Sequence, residues 1–181
     1  NRDGNSDVAV ANTGSNTVAV LYGDGRGGLG AAVTHTTGGT SPQSLVAADL
    51  NGDGFLDLAV TNRGSNTVGV LLGDGSGGFA SGLTIPAGTA TSGVVIGDIN
   101  LDGFPDLAFA DWNANNIGVL LGDGSGSFIA AGTYATGSSP RSMTKADFNL
   151  DGKLDLAVST VQAAGVAVLL QGPRDGYLVH L

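Results

Sequence analysis

The sequence contains neither cysteine nor glutamate, and both absences narrow what the protein can be. Without cysteine, no disulfide can cross-link the chain, so a protein of this sequence that works outside the cell needs another source of stability. All 16 acidic residues are aspartate, although glutamate serves equally well as a surface charge. Short aspartate side chains place their oxygens predictably in turns, so we expect most of these residues to be built into turns.

Positive charge is also scarce. Seven Lys and Arg residues against 16 Asp give a formal net charge of −9. We therefore expect no binding to nucleic acid, because the chain has no basic surface with which to neutralise phosphates. No apolar run approaches the ~20 residues that a membrane-spanning helix needs, so we expect no membrane insertion.

An aspartate-rich segment with the pattern D-x-N-x-D-G-x-x-D recurs along the chain. Its three complete copies begin 49 residues apart and span Asp49–Asp57, Asp98–Asp106 and Asp147–Asp155. A shortened copy at Asn1–Asp7 lacks the leading aspartate. We call these copies aspartate loops I to IV in chain order, loop I being the shortened one, and number their positions 1 to 9. Repetition at this period indicates an array of similar structural units.

A second repeated feature follows aspartate loops I, II and III. Asp-Gly pairs beginning at Asp24, Asp74 and Asp123 stand between apolar segments, which predicts hairpin turns. The apolar residues show no helical period. One repeat therefore divides into four strands, A to D, at Ser44–Ala48, Leu58–Asn62, Thr67–Leu72 and Phe79–Ile85.

Four short antiparallel strands repeated every 40–50 residues are typical of a β-propeller blade. We predict an all-β fold: a single β-propeller, or a segment of one, over residues 1–181, with repeats near 1–43, 44–92, 93–141 and 142–181. About four blades are expected. The first is incomplete because it lacks strand A, and the last takes its strand D from Tyr177–Leu181. A fragment of a larger ring, a compact four-bladed ring and half of a ring completed by a second copy all remain open.

The aspartate loop between strands A and B is the candidate metal site. Calcium takes six to eight oxygen ligands, which the side chains at positions 1, 3, 5 and 9 and the backbone carbonyl at position 7 would supply. Aspartate and asparagine also favour ordinary Asx-turns. However, three copies keep every side-chain ligand, while the residue types at position 4 and at position 7, which would bind through its carbonyl, vary; this favours calcium. We predict three full Ca²⁺ sites and a partial fourth in loop I.

The predicted ligands of the full sites are Asp49, Asn51, Asp53, Phe55 and Asp57; Asp98, Asn100, Asp102, Phe104 and Asp106; and Asp147, Asn149, Asp151, Lys153 and Asp155. Those of the partial site are Asn1, Asp3, Asn5 and Asp7.

These loops, together with the segments Gly73–Phe79 and Gly122–Phe128, resemble the FG-GAP (VCBS-like) repeat family over nearly the whole chain. The resemblance implies calcium-binding blades like those of integrin α-subunit propellers and of many secreted proteins. The family's usual proline before strand A is present at Pro42 and Pro140, but Thr91 replaces it in the third repeat and Leu29 replaces a phenylalanine in the first. These departures concern blade packing more than metal binding.

We expect a calcium-stabilised scaffold for adhesion or recognition that binds an extracellular protein or glycan. Weak calcium sites are useful only where calcium is plentiful, which favours an extracellular or periplasmic location. We expect no enzyme, since His35 and His180 have no catalytic partners nearby in sequence. One alternative is a lectin with Trp112 as its aromatic platform. Another is a non-catalytic propeller within a larger secreted enzyme.

Overall fold

A computed structural model describes residues 1–172 and 178–180 of the chain. Every regular element in this part of the chain is a β-strand, and no helix there is long and apolar enough to cross a membrane. The strands form four antiparallel sheets, which we number in chain order. Sheet 1 contains β1 (Val8–Asn12), β2 (Thr17–Leu21) and β3 (Val33–Thr36); sheet 2 contains β4 (Pro42–Ala48), β5 (Asp57–Asn62), β6 (Thr67–Gly73) and β7 (Phe79–Pro86); sheet 3 contains β8 (Thr91–Gly97), β9 (Asp106–Asp111), β10 (Asn116–Gly122) and β11 (Phe128–Ala135); sheet 4 contains β12 (Pro140–Ala146), β13 (Asp155–Thr160), β14 (Gly165–Gln171) and β15 (Leu178–His180).

The four sheets confirm the predicted propeller blades. Sheets 2, 3 and 4 each have four strands, and every strand pairs with the next one along the chain. Sheet 1 has three strands and lacks strand A, as the shortened first repeat predicts. The predicted last strand is described as Leu178–His180; its outer residues, Tyr177 and Leu181, lie outside the described residues.

Strand A of each complete sheet begins two residues before the repeat boundary drawn from the sequence. These strands start at Pro42, Thr91 and Pro140, and in each of them the register shifts after the first residue. A proline has no N–H to donate, so it is tolerated as the first residue of a strand. Read from the sequence alone, the same proline indicates a turn, which hides the true start of the strand.

Each pair of consecutive sheets encloses its own apolar cluster. We call the face of a sheet toward the next sheet its forward face and the opposite one its backward face. Cluster members include Val18, Val20, Leu58, Val60 and Leu71 between sheets 1 and 2; Leu50, Ala59, Val68, Val70, Val94, Leu107, Phe109 and Leu120 between sheets 2 and 3; and Val95, Ile99, Ala108, Ile117, Val119, Leu156, Val158, Ala167 and Leu169 between sheets 3 and 4. Strands β4, β8 and β12 lie side by side along the inner edge. Over the described residues, sheets 1 and 4 share no such cluster, so the ring is not closed.

A repeated asparagine in the turn between strands B and C ties each sheet to the next. The side-chain Oδ1 atoms of Asn16, Asn66 and Asn115 accept hydrogen bonds from the backbone N–H groups of residues 41, 90 and 139 at 2.8, 2.7 and 2.8 Å. These N–H groups lie immediately before strand A of the following sheet. All three asparagines have positive φ, between 57° and 59°, a conformation that asparagine tolerates better than most residues. The B–C turns therefore fix the spacing of neighbouring sheets.

Replacing Asn66 by glycine should lower the free energy of unfolding by about 1 kcal/mol, the usual net worth of one hydrogen bond. Glycine keeps the positive φ but removes the acceptor for the Ala90 N–H. The matched control is Asn66→Asp, which retains an acceptor oxygen at the same place and should lose much less. Urea unfolding of the three proteins measures both differences, and equal losses in the two variants would contradict the assigned role of the amide oxygen.

Candidate metal centre

The carboxylate at position 1 holds the middle of each complete aspartate loop. In loop II, Asp49 accepts hydrogen bonds from the N–H groups of Gly52 and Gly54 at 2.7 and 2.8 Å. Asp98 and Asp147 accept corresponding bonds from the N–H groups at positions 5 and 6 of their own loops. The backbone thus curls around the first carboxylate in all three copies.

Positions 3 and 5 form consecutive Asx-turns. The Asp53 N–H donates to Asn51 Oδ1 at 3.0 Å, and the Phe55 N–H donates to Asp53 Oδ1 at 2.8 Å. The same two bonds recur in loops III and IV. The Asx-turns that were the plain alternative to a metal site are therefore present, and they arrange the oxygens of positions 1, 3 and 5 along the inside of the loop.

The carboxylate at position 9 is buried and joins its loop to strand C. Asp57, Asp106 and Asp155 are all completely buried. In each of them Oδ2 accepts the N–H of position 2, at 2.7 to 2.9 Å. Oδ1 accepts an N–H sixteen residues further on, from Gly73, Gly122 and Gln171 respectively, at 2.8 to 2.9 Å. Both oxygens of the predicted closing ligand are therefore already hydrogen-bonded to the backbone.

Electrostatics differ between the buried and the exposed carboxylates. Burial raises the pKa of Asp57, against the hydrogen bonds from Gly73 and Leu50, and the charges of Asp53 and Asp49 add to the rise. Burial likewise raises the pKa of Asp106, against hydrogen bonds from three backbone N–H groups. The carboxylates of one loop therefore repel each other while they share a small volume.

Loop IV is partly balanced by its own lysine. The Lys153 ammonium lies 3.6 Å from Asp151 Oδ2. Lost hydration is the largest single influence on the pKa of Asp151 and raises it. The pKa of Asp151 nevertheless lies below its ordinary value. It is lowered by hydrogen bonds from Lys153 and Asn149 and by the charge of Lys153, which together outweigh the lost hydration. No such cation stands at position 7 of the other two complete loops, where Phe55 and Phe104 occur.

Loop I keeps part of this arrangement. The Asp3 N–H donates to Asn1 Oδ1 at 2.9 Å, and the Asn5 N–H donates to Asp3 Oδ1 at 2.8 Å, as at positions 3, 5 and 7 of the complete loops. The hydrogen bond from Asn5 lowers the pKa of Asp3. Asp7 accepts the Gly23 N–H at 2.9 Å, while its other oxygen lies 3.1 Å from the amino group of Asn1. The described residues of loop I begin at position 3.

The side chain at position 7 packs on the Asp-Gly turn of its own sheet, a contact that sequence reasoning did not identify. A Cβ atom at Gly75 would lie 2.3 Å from the Phe55 ring, and one at Gly124 would lie 2.4 Å from the Phe104 ring. Only glycine fits beneath the ring, which explains the glycine after the turn aspartate. The aspartate loop and the neighbouring hairpin turn therefore form one packed unit at this end of sheets 2 and 3.

The donor set suits a hard divalent cation, although the carboxylates do not converge by themselves. Among the described residues, no group of three or more His, Cys, Asp or Glu side chains is arranged to hold a metal ion. Each carboxylate oxygen in loop II accepts one hydrogen bond, and a carboxylate oxygen has a second lone pair. Calcium accepts amide and carbonyl oxygens as well as carboxylates, so the side-chain oxygen of position 3 and the carbonyl of position 7 can add to the carboxylates. The residue types fit calcium, and the hydrogen bonds fix the loop around them.

Trp112, the candidate sugar platform, has one ring face covered by a neighbouring side chain. The guanidinium carbon of Arg63 lies 5.4 Å from the centre of the Trp112 ring, so one ring face is covered. The Asp111 carboxylate is buried and accepts hydrogen bonds from Thr89 and Ala114. Asn115 is the asparagine that ties sheet 3 to sheet 4. Two of the polar neighbours of Trp112 in sequence, Asp111 and Asn115, are thus used within the fold.

Replacing the buried Asp106 by asparagine should lower the free energy of unfolding by about 2–3 kcal/mol even in a chelator, because one backbone N–H loses its acceptor in a buried site. The comparison variant is Asp102→Asn, since an asparagine there can still accept the Phe104 N–H. Denaturant unfolding in excess chelator measures both. Equal, small losses would contradict a structural role for the buried carboxylate.

Comparison with known proteins places this architecture in a family. Among curated proteins, none matches the sequence. Among solved structures, the chain is similar to a protein of Bacteroides uniformis ATCC 8492 provisionally named as a 6-phosphogluconolactonase, with a TM-score of 0.74 and 16% identity over 97% of this chain and 52% of that one. It is also similar to a functionally unknown protein of Desulfotomaculum acetoxidans DSM 771, with a TM-score of 0.69 and 15% identity over 92% of this chain and 51% of that one.

These two likenesses show the fold alone, because the identities are low. The chain spans about half the length of each of these structures. The sequence model of the FG-GAP-like repeat matches residues 1–60, 49–109 and 98–158, and each of the second and third matches begins at position 1 of an aspartate loop. The overlapping matches together cover most of the sequence. The chain therefore belongs to the FG-GAP-like repeat family.

Proposed function

We propose that this chain is a calcium-binding β-propeller scaffold for adhesion or recognition outside the cell, in which calcium is structural. The observation that supports this most directly is the threefold recurrence of one oxygen set in one hydrogen-bonded frame. Loops II, III and IV keep the side chains of positions 1, 3, 5 and 9, and the same backbone N–H groups orient those of positions 3 and 5 each time. A turn that needed only its Asx bonds would not need a carboxylate at positions 1, 5 and 9 together.

The structural role that we propose for calcium follows from the contacts of the aspartate loop with strand C and with the apolar cluster between two sheets. The buried carboxylate at position 9 links the loop to strand C, and the side chain at position 2 enters the apolar cluster between two sheets, as Leu50 and Ile99 do. A cation that neutralises the crowded carboxylates would therefore stabilise both the A–B hairpin and the packing between sheets. If each site had a Kd of ~0.1 mM, ~2 mM calcium would contribute roughly 1.8 kcal/mol per site.

The loops should not bind calcium equally. Loop IV already holds the Lys153 ammonium beside Asp151, and a cation would have to displace it or share its charge. We therefore assign the tighter sites to loops II and III and a weaker one to loop IV.

Weak sites of this kind are occupied only where calcium is plentiful, so we propose an extracellular or periplasmic location with a protein or glycan partner. We also propose that the chain is not catalytic. His35 packs edge-on against the ring of Phe79, 5.2 Å between centroids, rather than beside an acid. The likeness to a provisionally named lactonase carries no catalytic residues with it at 16% identity. A protein partner is preferred to a sugar because Arg63 covers a face of Trp112.

The test compares calcium-dependent melting of three proteins. In wild type, ~2 mM calcium should raise the melting temperature well above its value in chelator. Asp53→Asn removes one loop carboxylate but can still accept the Phe55 N–H, so it should lose a substantial part of that rise. In chelator it should be at least as stable as wild type, because the repulsion within loop II is smaller.

The control is Asp74→Asn, the same loss of charge in an Asp-Gly turn outside the aspartate loops. It should keep the full calcium-dependent rise. Calorimetric titration of the same proteins counts the sites directly. A melting temperature that is the same in calcium and in chelator overturns the proposal. So does an equal reduction in both variants, which would indicate general screening of negative charge.

A further inference from the structure

The aspartate loop of one sheet packs on the Asp-Gly turn of the next sheet. A Cβ atom added at Gly52, position 4 of loop II, would lie 3.7 Å from the carbonyl oxygen of Gly124 in the turn of sheet 3. A Cβ atom added at Gly126 in the same turn would lie 3.4 Å from the Cβ atom of Asn51, position 3 of loop II. Two successive residues of loop II therefore lie directly against this turn.

A second contact between sheets 2 and 3 lies beside the first. The same added Cβ atom at Gly126 would come within 3.3 Å of Leu72 Cδ2, so a larger residue there would push the leucine aside. Leu72 is followed by Gly73, whose N–H donates to Asp57, the closing carboxylate of loop II, at 2.8 Å. The end of strand C therefore gives loop II a second connection to the turn of sheet 3.

Sheets 1 and 2 have contacts at the same positions. Tyr22 occupies the position of Leu72, and its hydroxyl donates to the carbonyl oxygen of Gly77 in the Asp-Gly turn of sheet 2. Arg2 occupies position 4 of loop I, and its guanidinium carbon lies 5.0 Å from the centre of the Phe55 ring at position 7 of loop II. The contact of a loop with the following sheet is therefore not confined to one pair of sheets.

The Asp-Gly turn of sheet 3 also holds two residues of loop III. The Phe104 ring at position 7 lies on Gly124, where an added Cβ atom would be 2.4 Å from the ring. Gly122, immediately before the turn aspartate, donates its N–H to the buried Asp106 at position 9, with a donor–acceptor distance of 2.9 Å. Positions 7 and 9 are both predicted calcium ligands. One turn therefore contacts both loop II and loop III.

From these contacts we propose that loops II and III bind calcium cooperatively, with the Asp-Gly turn of sheet 3 coupling the two sites. The inference rests on the proposed calcium function and adds that these two sites depend on one another. A cation in loop II would hold Asn51 and Gly52 in place against the turn. The turn would then hold Phe104 and Asp106 in place, so a cation in loop III would have less of its own site left to order.

Loop IV lacks the side chain through which a turn would act. Its position 7 is Lys153, in place of the phenylalanine of loops II and III, and the Lys153 ammonium lies 3.6 Å from Asp151 Oδ2. A lysine does not supply the ring that packs on a turn glycine, so the coupling that we propose for loops II and III does not extend to loop IV. We therefore expect loop IV to bind calcium independently of loop III.

The test is a calcium titration of the whole chain in ~0.15 M salt, which screens long-range charge effects, followed by NMR. The position-6 amides of Gly54, Gly103 and Gly152 each donate to the first carboxylate of their own loop, so each reports on one site. In Asp53→Asn, which weakens loop II, the calcium concentration that half-saturates Gly103 should rise about fivefold, and that for Gly152 should not change. Because coupling is reciprocal, Asp102→Asn should raise the half-saturating concentration for Gly54 by a similar factor.

A variant with unchanged charge separates coupling through the turn from the loss of one carboxylate. Phe104→Ala removes the ring that lies on Gly124 but keeps the backbone carbonyl of position 7, and Phe104 is 46% exposed, so the variant should fold. In this background, Asp53→Asn should shift the half-saturating concentration for Gly103 by less than about twofold. Ile129→Ala is the matched control, since Ile129 is 70% exposed on β11 of the same sheet, and it should keep the full shift.

Three outcomes would overturn the inference while leaving calcium binding intact. An unchanged half-saturating concentration for Gly103 in Asp53→Asn would show that the sites are independent. Equal shifts at Gly103 and Gly152 would indicate a general effect of charge. A shift that persists undiminished in Phe104→Ala would show that the turn does not couple the loops. Amides that respond to calcium in none of the loops would instead overturn the proposed function, and the inference with it.

Discussion

The fold depends most on the buried carboxylate at position 9 of the aspartate loop, whose two oxygens accept hydrogen bonds from two different segments of the backbone. Asp57 and Asp155 each accept one N–H from their own loop and Asp106 accepts two, and each of the three accepts one more from the end of strand C. A buried charge is costly unless its hydrogen bonds are made, and here they are made by the backbone of two separate segments. The loop shape, the entry of position 2 into the core and the closeness of the Asp-Gly turn all follow from that pairing.

The sequence was sufficient for the features that local spacing determines. The 49-residue period, the Asp-Gly turns and the apolar strands predicted the sheets and the missing strand A. It could not show that the closing aspartate serves strand C, since Gly73 is sixteen residues away and its N–H is brought near only by the register of β5 and β6. The role of Asn66 was also missed, although its repetition at Asn16 and Asn115 was a visible signal.

The positions at which sheet 4 differs from the other sheets show what individual side chains contribute to packing and charge. Ala164 stands in sheet 4 at the turn position where sheets 1 to 3 have the tying asparagine, and Phe148 of the same sheet is exposed where Leu50 and Ile99 are buried. Lys153 replaces a phenylalanine that packs on the hairpin turn, and it brings a cation beside Asp151. Each departure therefore has a local physical consequence, either for sheet packing or for the charge within one loop.

The proposed calcium ion would stabilise an aspartate loop whose conformation the hydrogen bonds of the chain already determine. Backbone N–H groups donate a hydrogen bond to each of the three carboxylates of loop II. The loop can therefore keep its conformation without a bound ion. What hydrogen bonds cannot remove is the mutual repulsion of Asp49, Asp53 and Asp57, which contributes to the raised pKa of Asp57. A divalent cation would reduce this repulsion between the carboxylates. Since the same loop carries Leu50 into the cluster between sheets 2 and 3, relief of the repulsion would strengthen the contact between sheets and not only the loop.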